Sequence, residues 1–323
     1  MNLQVIDLHC DLLSYLKNPN ASPLSNEIGC KVPAMEQGNV KVQVMAIYSS
    51  TEKGSSHLRA QQSQIFRDLL MKYPDRLALC NDTASVKTNL ASSKIGILAA
   101  IENASSFCEE DESLESGFKK LETLILNTER IFYIGLTHHG ENRFGGCNTT
   151  KAGLKEDGEI LLEYISGRKI AIDLSHTSDA LAYELLDHLS KKNLEIPIIA
   201  SHSNFRTVFE HARNLPDDLA KEIIKRKGLI GMNFLRAFLN NENSEALYEH
   251  IHYGIGMGAE NALCFGADYF FTANHPDQSR IPFYYKEQEN AGCYPAILQK
   301  ISASVPSEQL KKISSQNFME MVW

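Results

Sequence analysis

A short segment near the start of the chain carries two side chains that could bind one metal ion. Residues 5–11, VIDLHCD, form a mostly apolar run with a polar end. Alternate side chains of a strand share a face, so Asp7, His9 and Asp11 are expected to point to one side. Imidazole and carboxylate are ordinary ligands of zinc and similar divalent ions. His9 and Asp11 could therefore hold one ion together. This pair alone is a weak signal, because many strands contain an Asp or a His.

Other apolar runs along the chain end in the same kinds of side chain, which strengthens the signal. Six of eight runs do so, and together they supply His9, Asp11, Glu102, His138, His176, His202 and Asp268. In a parallel barrel the carboxyl ends of the strands meet at one mouth, where polar residues are usually catalytic. These seven side chains therefore predict a metal site.

The elements that would position these residues alternate between strands and helices. The apolar runs are rich in Ile, Val, Leu and Ala, as expected of parallel strands buried on both faces. The predicted strands are Gln4–His9, Val40–Tyr48, Ile95–Glu102, Ile131–His138, Ile170–His176, Pro197–His202, Gly228–Leu235 and Ala262–Asp268. The predicted helices are His57–Lys72, Leu114–Leu126, Ile160–Arg168, Ser178–Lys191, Pro216–Lys227, Ser244–Met257, Tyr294–Ala303 and Pro306–Val322.

Eight such alternations predict a (β/α)8 TIM barrel with extra helices at its C-terminal end. An open doubly wound sheet is the alternative, but no GxGxxG or P-loop motif follows any run. Residues 269–293 are expected to form a long loop over the barrel mouth, and whether His275 approaches the mouth stays open. Without a linker or an internal repeat, residues 1–323 are interpreted as a single domain.

Composition excludes several classes of protein. The net charge of −8 and the absence of a Lys/Arg-rich run argue against nucleic-acid binding. No apolar stretch is long enough to span a bilayer, and residues 1–4 show no signal-peptide pattern, so a cytoplasmic protein without membrane attachment is expected. The seven cysteines form no CxxC pair and are interpreted as free thiols.

The set of donors suits two metal ions. His9 and Asp11 could hold one ion, His176 and His202 the other, and the two carboxylate oxygens of Glu102 could bridge them. Such a centre leaves room for a bridging hydroxide, the nucleophile of a two-metal hydrolase. Asp268 would be free to take the proton of the hydroxide and pass it to a leaving amine.

Seven short motifs together resemble the renal (membrane) dipeptidases and their bacterial relatives, which are zinc dipeptidases of the amidohydrolase-like barrel superfamily. The similarity runs in order from Asp7 to about Phe318. The motifs are HCD at 9–11, IE at 101–102, LTH at 136–138, DLSH at 173–176, SHS at 201–203, ARNLPDD at 212–218 and FGAD at 265–268.

The resemblance implies a role for each matching residue. It implies two zinc ions bound by His9, Asp11, Glu102, His176 and His202, with Glu102 bridging. It also implies that His138 faces the reacting carbonyl, and that Arg213 holds the free carboxylate of a dipeptide, a task that suits a guanidinium group. From the sequence pattern alone, Arg213 would be an ordinary solvated loop residue. Relatives in this family tolerate a D-residue at the second position and are often homodimers, so L,D-dipeptide substrates and a homodimer are expected.

Two segments depart from the family pattern, and two other functions stay open. Asn103-Ala104 replaces glycines that usually follow the bridging glutamate, and Tyr269-Phe270-Phe271 replaces Phe-Asp-Gly after Asp268.

One alternative function is that of another barrel amidohydrolase, such as a lactonase, deaminase or cyclic amidase. Many of those bridge their metals with a carboxylated Lys at the end of strand four, where this chain has Thr137-His138-His139. The other alternative is a non-catalytic metal-binding barrel with a decayed pocket.

Overall fold

Parallel strands form one sheet in the computed structural model, which describes residues 3–273 and 275–321. Each strand is short and almost entirely buried, as the apolar runs predict. The strands within the described residues are β1 (Val5–Cys10), β2 (Val40–Tyr48), β3 (Leu77–Leu79), β4 (Ile95–Glu102), β5 (Ile131–Gly135), β6 (Ala171–Asp173), β7 (Ile198–Ile199), β8 (Ile230–Met232) and β9 (Leu263–Phe265).

The sheet closes on itself. Its strand order is β7-β6-β5-β4-β2-β1-β9-β8, with every pairing parallel. The two ends meet where Ala200 pairs with Ile230, because Ala200 N donates to Leu229 O and Gly231 N donates to Ala200 O, both at 2.8 Å. Strand β3 lies outside this ring and pairs only with the first half of β4. The predicted eight-stranded barrel is confirmed.

Helices surround the barrel and cover its outer face. Three of them begin after a side-chain cap, at Asp82, Ser113 and Ser178; the Ser178 side chain accepts a hydrogen bond from Leu181 N. The helices within the described residues are α1 (Leu12–Tyr15), α2 (Val32–Gln37), α3 (His57–Lys72), α4 (Thr83–Leu90), α5 (Leu114–Thr128), α6 (Glu156–Ile165), α7 (Asp179–Lys192), α8 (Asp217–Lys225), α9 (Arg236–Leu239), α10 (Ala246–Met257), α11 (Tyr294–Ile301), α12 (Ser307–Lys311) and α13 (Asn317–Glu320).

Two helix predictions differ from the structure by more than one or two residues at an end. Helix α6 begins four residues before the predicted Ile160, because Glu156, Asp157 and Glu159 form an acidic first turn that favours a helix start there. The predicted C-terminal helix is interrupted by a π-helical turn, Lys312–Gln316, between α12 and α13. Its last predicted residue, Val322, lies outside the described residues.

The segment after β9, residues 269–293, is irregular as predicted. We call it the mouth segment, and apart from Asn274 it lies within the described residues. It contains three short 3₁₀ turns, at Gln278–Arg280, Lys286–Gln288 and Ala291–Cys293. It is attached to the barrel mouth because Leu235 pairs with Tyr284, whose hydroxyl donates to Asp268 O. Among the helices of the described residues, none is long and apolar enough to cross a bilayer.

Candidate metal centre

The structure brings four imidazoles together around one carboxylate oxygen at the mouth of the barrel. The oxygen is Oε1 of Glu102, the last residue of β4. Its distances to the imidazole Nε2 atoms are 3.0 Å for His176, 3.6 Å for His138 and His202, and 3.7 Å for His9. Side chains at or just beyond the ends of five strands therefore share one small volume.

Two more carboxylates complete the cluster on the side of His9. The His9 Nε2 atom lies 3.7 Å from Asp268 Oδ1 and 4.0 Å from Asp11 Oδ2. All seven strand-end side chains that the sequence predicts for the site thus lie together. Asp7 does not join them, since its carboxylate accepts hydrogen bonds from His9 N, Ala267 N and the Tyr294 hydroxyl. Strand alternation fails here because the register of β1 shifts between Asp7 and Cys10.

Most of these residues lie just beyond the regular strands, not within them. Strands β5, β6, β7 and β9 each end three residues before the corresponding His or Asp. Side chains replace the lost strand pairing: the Asp173 carboxylate accepts hydrogen bonds from Ser175 N and Ser201 N. The backbone is left-handed at His176 (φ 68°) and at Asp268 (φ 61°), a costly conformation that clusters at functional sites.

Hydrogen bonds orient two of the imidazoles so that Nε2 carries a lone pair toward Glu102. The Tyr133 hydroxyl donates a hydrogen bond to Leu8 O, so it can accept one from His9 Nδ1, which lies 2.6 Å away. In the same way the Ser201 hydroxyl donates to Asp173 and accepts from His202 Nδ1 at 2.7 Å. Such partners on the far nitrogen are typical of metal-binding histidines.

Burial sets the charge of the cluster. It raises the pKa of Asp268 to about 7, and together with the nearby Asp268 charge it raises the pKa of Asp11 to about 8. Burial also raises the pKa of Glu102 well above its usual range and lowers that of His9 to about 3. Burial likewise lowers the pKa values of His138, His176 and His202. The protein alone therefore favours protonated carboxyls and neutral imidazoles.

This donor set fits a metal centre. The Nε2 atoms of His9 and His202 are acceptors 3.7 and 3.6 Å from Glu102 Oε1, so an ionised Glu102 cannot hydrogen-bond to them, and either a proton on Glu102 or a cation must lie between these atoms. Among the described residues, His9 Nε2, Asp11 Oδ1 and His176 Nδ1 are buried without a hydrogen-bond partner. Three groups have donor atoms close enough to share an ion: His9, Glu102 and His202; His9, Asp11 and Asp268; and His138, His139 and His176. Cations would satisfy these groups at once.

A cavity of about 710 Å³ opens above the cluster, a size that suits a small molecule. Its floor is polar and its wall is largely aromatic. The lining residues are Asp11, Ser14, Tyr15, Lys17, Asn18, Tyr48, Glu102, His138, His139, His176, Leu235, Phe238, Asp268, Phe270, Phe271, His275, Pro276 and Arg280. His275, whose position the sequence leaves open, is one of them.

Arg213 lies beside the cluster and is almost fully buried, with 4% of its surface exposed. Its Nη2 atom donates to His176 Nε2 at 3.1 Å, and its guanidinium carbon lies 5.2 Å from the centre of the Phe238 ring. The sequence pattern alone predicts that Arg213 is a solvated loop residue, whereas the family resemblance implies that it lies at the substrate site. The loop that carries it places a buried cation next to the candidate metal ligands.

Several residues of the site were not identified from the sequence. Lys17 and Arg280 line the cavity, and Asn233 donates to Asp268 Oδ2 at 2.8 Å. Asn233 did carry a signal, since it is a polar residue inside the apolar run Gly228–Leu235. Lys17 and Arg280 carried none, because they occur in irregular segments where no periodicity indicates which way a side chain points.

The departure after Glu102 has a structural explanation. Asn103 adopts φ 78°, a conformation in the region that favours glycine. Its side chain compensates by donating to Ser49 O at 2.9 Å and by accepting hydrogen bonds from Ser105 N and the Asn142 amide. The turn that presents Glu102 is therefore held by an asparagine side chain.

Comparison with solved structures agrees with the barrel fold. A metallopeptidase from Rhodobacter sphaeroides, solved with a phosphinate mimic of the dipeptide L-Ala-D-Ala, superimposes with a TM-score of 0.81 at 19% identity, over 99% of this chain and 98% of that one. The probable dipeptidase PvdM from Pseudomonas aeruginosa gives a TM-score of 0.80 at 13% identity, over 98% and 94%. At these identities the likeness shows the fold.

Sequence comparison identifies the family. Dipeptidase verJ of Clonostachys rogersoniana is 27% identical over 238 residues, 70% of this chain and 58% of that protein. An uncharacterised protein in the PQQ-III 3' region of Acinetobacter calcoaceticus is 28% identical over 196 residues, 57% of this chain and 59% of that protein. The chain thus spans about three fifths of the length of these two curated relatives. The model of the membrane dipeptidase family, peptidase family M19, matches residues 1–323, and the chain belongs to that family.

Proposed function

We propose that this protein is a binuclear zinc dipeptidase that hydrolyses the single peptide bond of short dipeptides. The observation that carries the proposal is the convergence of four imidazole nitrogens on Glu102 Oε1, beneath a cavity large enough for a dipeptide, in a member of a dipeptidase family. The convergence of imidazole nitrogens and carboxyl oxygens supports cation binding, and these donor atoms suit zinc.

We assign the metal ligands as follows. His9 and Asp11 would hold one zinc ion, His176 and His202 would hold the other, and Glu102 would bridge them. When bound, two such ions would polarise the peptide carbonyl and would supply a hydroxide nucleophile at neutral pH. The hydrogen bonds on the far nitrogens of His9 and His202 would keep both rings aimed at the centre.

Asp268 is the proposed general base and acid. Asn233 holds its Oδ2 atom, which leaves Oδ1 directed at the cluster, 3.7 Å from His9 Nε2. A carboxylate in this position can take a proton from the attacking water and return it to the leaving amine. The left-handed backbone and the Tyr284 hydroxyl fix the position of the residue.

His138 and Arg213 are the proposed substrate-binding residues. His138 lines the cavity next to Glu102, where a neutral imidazole could stabilise the negative charge that develops on the carbonyl oxygen. Arg213 would bind the free carboxylate of the C-terminal residue, because a buried guanidinium pairs strongly with a carboxylate. A phosphinate mimic of L-Ala-D-Ala occupies the related Rhodobacter structure, so we include L,D-dipeptides among the proposed substrates.

Metal analysis of the purified protein combined with a hydrolysis screen tests this proposal. The panel contains L,L- and L,D-dipeptides, with lactones and cyclic amides as controls. About two zinc per chain with dipeptide cleavage is the expected result. Two zinc with activity on the controls alone would favour another barrel amidohydrolase, and two zinc without any turnover would favour a non-catalytic barrel. A protein that binds no divalent metal would refute the assigned site.

A further inference from the structure

Two arginines stack on the same aromatic ring in the wall of the cavity. The guanidinium carbons of Arg213 and Arg280 lie 5.2 Å and 5.7 Å from the centre of the Phe238 ring. The Arg280 carbon also lies 5.3 Å from the centre of the Phe283 ring. Contact with two rings holds the Arg280 guanidinium in place while its hydrogen-bond donors stay available.

Arg280 forms no close ion pair among residues 3–273 and 275–321, where no acidic oxygen lies within 4.0 Å of its guanidinium; Asp268 and Asp277 interact with its charge only from a longer distance. Other arginines do have such partners. Arg168 and Arg206 each form two hydrogen bonds with a single carboxylate, that of Glu122 and that of Asp179 respectively, at 2.6 and 2.8 Å. Arg280 instead lines the cavity. A guanidinium that lines a cavity and has no close ion pair is suited to bind an anionic group.

The position of this charge relative to Arg213 indicates which part of a dipeptide it would meet. The proposed function places the main-chain carboxylate of the C-terminal residue at Arg213. An aspartate or glutamate in that position carries a second carboxylate only a few bonds away, and Arg280 shares the Phe238 ring with Arg213. Lys17 is the other cation of the cavity lining, but it interacts with Asp11 on the metal-ligand side.

We propose that Arg280 makes the enzyme selective for dipeptides whose C-terminal residue has a carboxylate side chain. This inference rests on the proposed dipeptidase function and specifies its substrate class. The selectivity would arise from a charge-assisted pair between the Arg280 guanidinium and the substrate carboxylate, set against the aromatic wall of Phe238 and Phe283.

The kinetic test compares isosteric substrates on the zinc-loaded enzyme. Ala-Glu and Ala-Gln, each with an L- and a D-residue at the second position, differ only in the side-chain charge. We expect kcat/KM to favour Ala-Glu by roughly 10- to 100-fold, mainly through KM, because hydrogen bonds to charged groups contribute on that scale. Arg280→Ala should bring the ratio close to one, Arg280→Lys should give an intermediate ratio, and the control Lys17→Ala should keep it.

Dipeptides with the acidic residue at the N-terminal position distinguish a contribution of Arg280 from one of Lys17. If Glu-Ala is preferred over Gln-Ala while Ala-Glu and Ala-Gln react equally, the acidic side chain binds at the N-terminal residue and the assignment to Arg280 is wrong. Equal rates within both pairs, or a preference that survives Arg280→Ala, would also overturn it.

A binding measurement separates this inference from the proposed function. The zinc-loaded Asp268→Asn protein is titrated with Ala-Glu and Ala-Gln in a calorimeter, with and without Arg280→Ala. Tighter binding of Ala-Glu that is lost with Arg280→Ala supports the inference even if no dipeptide is cleaved. Equal binding of the two dipeptides refutes it even if the enzyme is an active dipeptidase.

Discussion

The floor and the wall of the cavity are built in different ways. The floor consists of residues at or just beyond strand ends, and buried hydrogen bonds from Tyr133, Ser201 and Asp173 fix its imidazoles. The wall consists mainly of the mouth segment and of residues 14–18, in and after α1, together with Phe238 of α9. In the mouth segment, aromatic contacts replace regular pairing, such as Phe270 with Phe283 at 5.3 Å. Under the proposed function, the floor would determine the chemistry and the wall would determine which substrate is accepted.

The largest effect is expected from removing a ligand in the floor. His176→Ala takes away a nitrogen that lies 3.0 Å from both Glu102 Oε1 and His202 Nε2. We expect zinc content to fall together with activity, and kcat/KM for any cleaved dipeptide to fall by roughly 10³-fold or more, because the nucleophile depends on the metal centre. Metal analysis and rate measurements on the same sample check this. Full activity at unchanged zinc content would remove His176 from the ligand set.

Asp268→Asn should separate metal binding from turnover within the floor. The amide has the shape of the carboxylate but cannot accept a proton, so kcat should fall by roughly 10²- to 10⁴-fold. Zinc content should stay near that of the wild type, since Asp268 is not an assigned ligand. A variant that retains its kcat would refute the proposed base, and one that loses zinc would make Asp268 a ligand.

Without metal, the floor should make the folded protein less stable as the pH rises. Burial holds the pKa values of Asp268 and Asp11 near 7 and 8, whereas both groups are ionised above about pH 4 in the unfolded chain. The folded state therefore binds more protons, and the free energy of unfolding should decrease between pH 6.5 and 8. The imidazoles, whose pKa values are lowered, oppose this trend in the lower part of that range, because the unfolded chain is already about half protonated at each of them at pH 6.5.

Urea unfolding of chelated protein at pH 6.5 and at pH 8 measures this slope. Asp268→Asn should make the slope shallower. Saturating zinc should also reduce it, because the ligand Asp11 is then ionised in the folded state and the charge of the metal lowers the pKa of the neighbouring Asp268. A metal-free protein whose stability increases from pH 6.5 to 8 would contradict the charge state assigned to the floor.

The smallest effect is expected in the wall. Phe283→Leu keeps an apolar side chain but removes one of the two rings that hold Arg280. Because an exposed cation–π contact contributes about 0.5–1 kcal/mol, the preference for Ala-Glu over Ala-Gln should drop about two- to fivefold. Zinc content should not change, and a loss of zinc would mean that floor and wall are not independent.

The parts of this protein that follow local periodicity could be predicted from its sequence. Buried parallel strands produce uninterrupted apolar runs, so the barrel and the polar residues at its strand ends were identified, including His9, Glu102 and His202. The three-residue strand β3 could not be recognised, since Leu77–Leu79 is too short to show a period. Asp7 was misplaced because alternation assumes a regular strand, and β1 is irregular at that point.

The wall could not be predicted for a different reason. Arg280 and Lys17 owe their positions to tertiary contacts between segments that are far apart in the chain, such as Arg280 with Phe238. No spacing rule connects such residues. The Asn103 turn shows the same limit, because its stability depends on an amide that reaches Ser49 and Asn142.

The central claim is that two metal ions at the floor carry out the chemistry. Its most direct test is stepwise reconstitution: chelated protein receives zinc in fractions of an equivalent while dipeptide hydrolysis is followed. We expect activity to rise until about two equivalents per chain are bound and then to level off, with His176→Ala inactive throughout. Full activity at one equivalent, or hydrolysis by metal-free protein, would contradict the two-metal account.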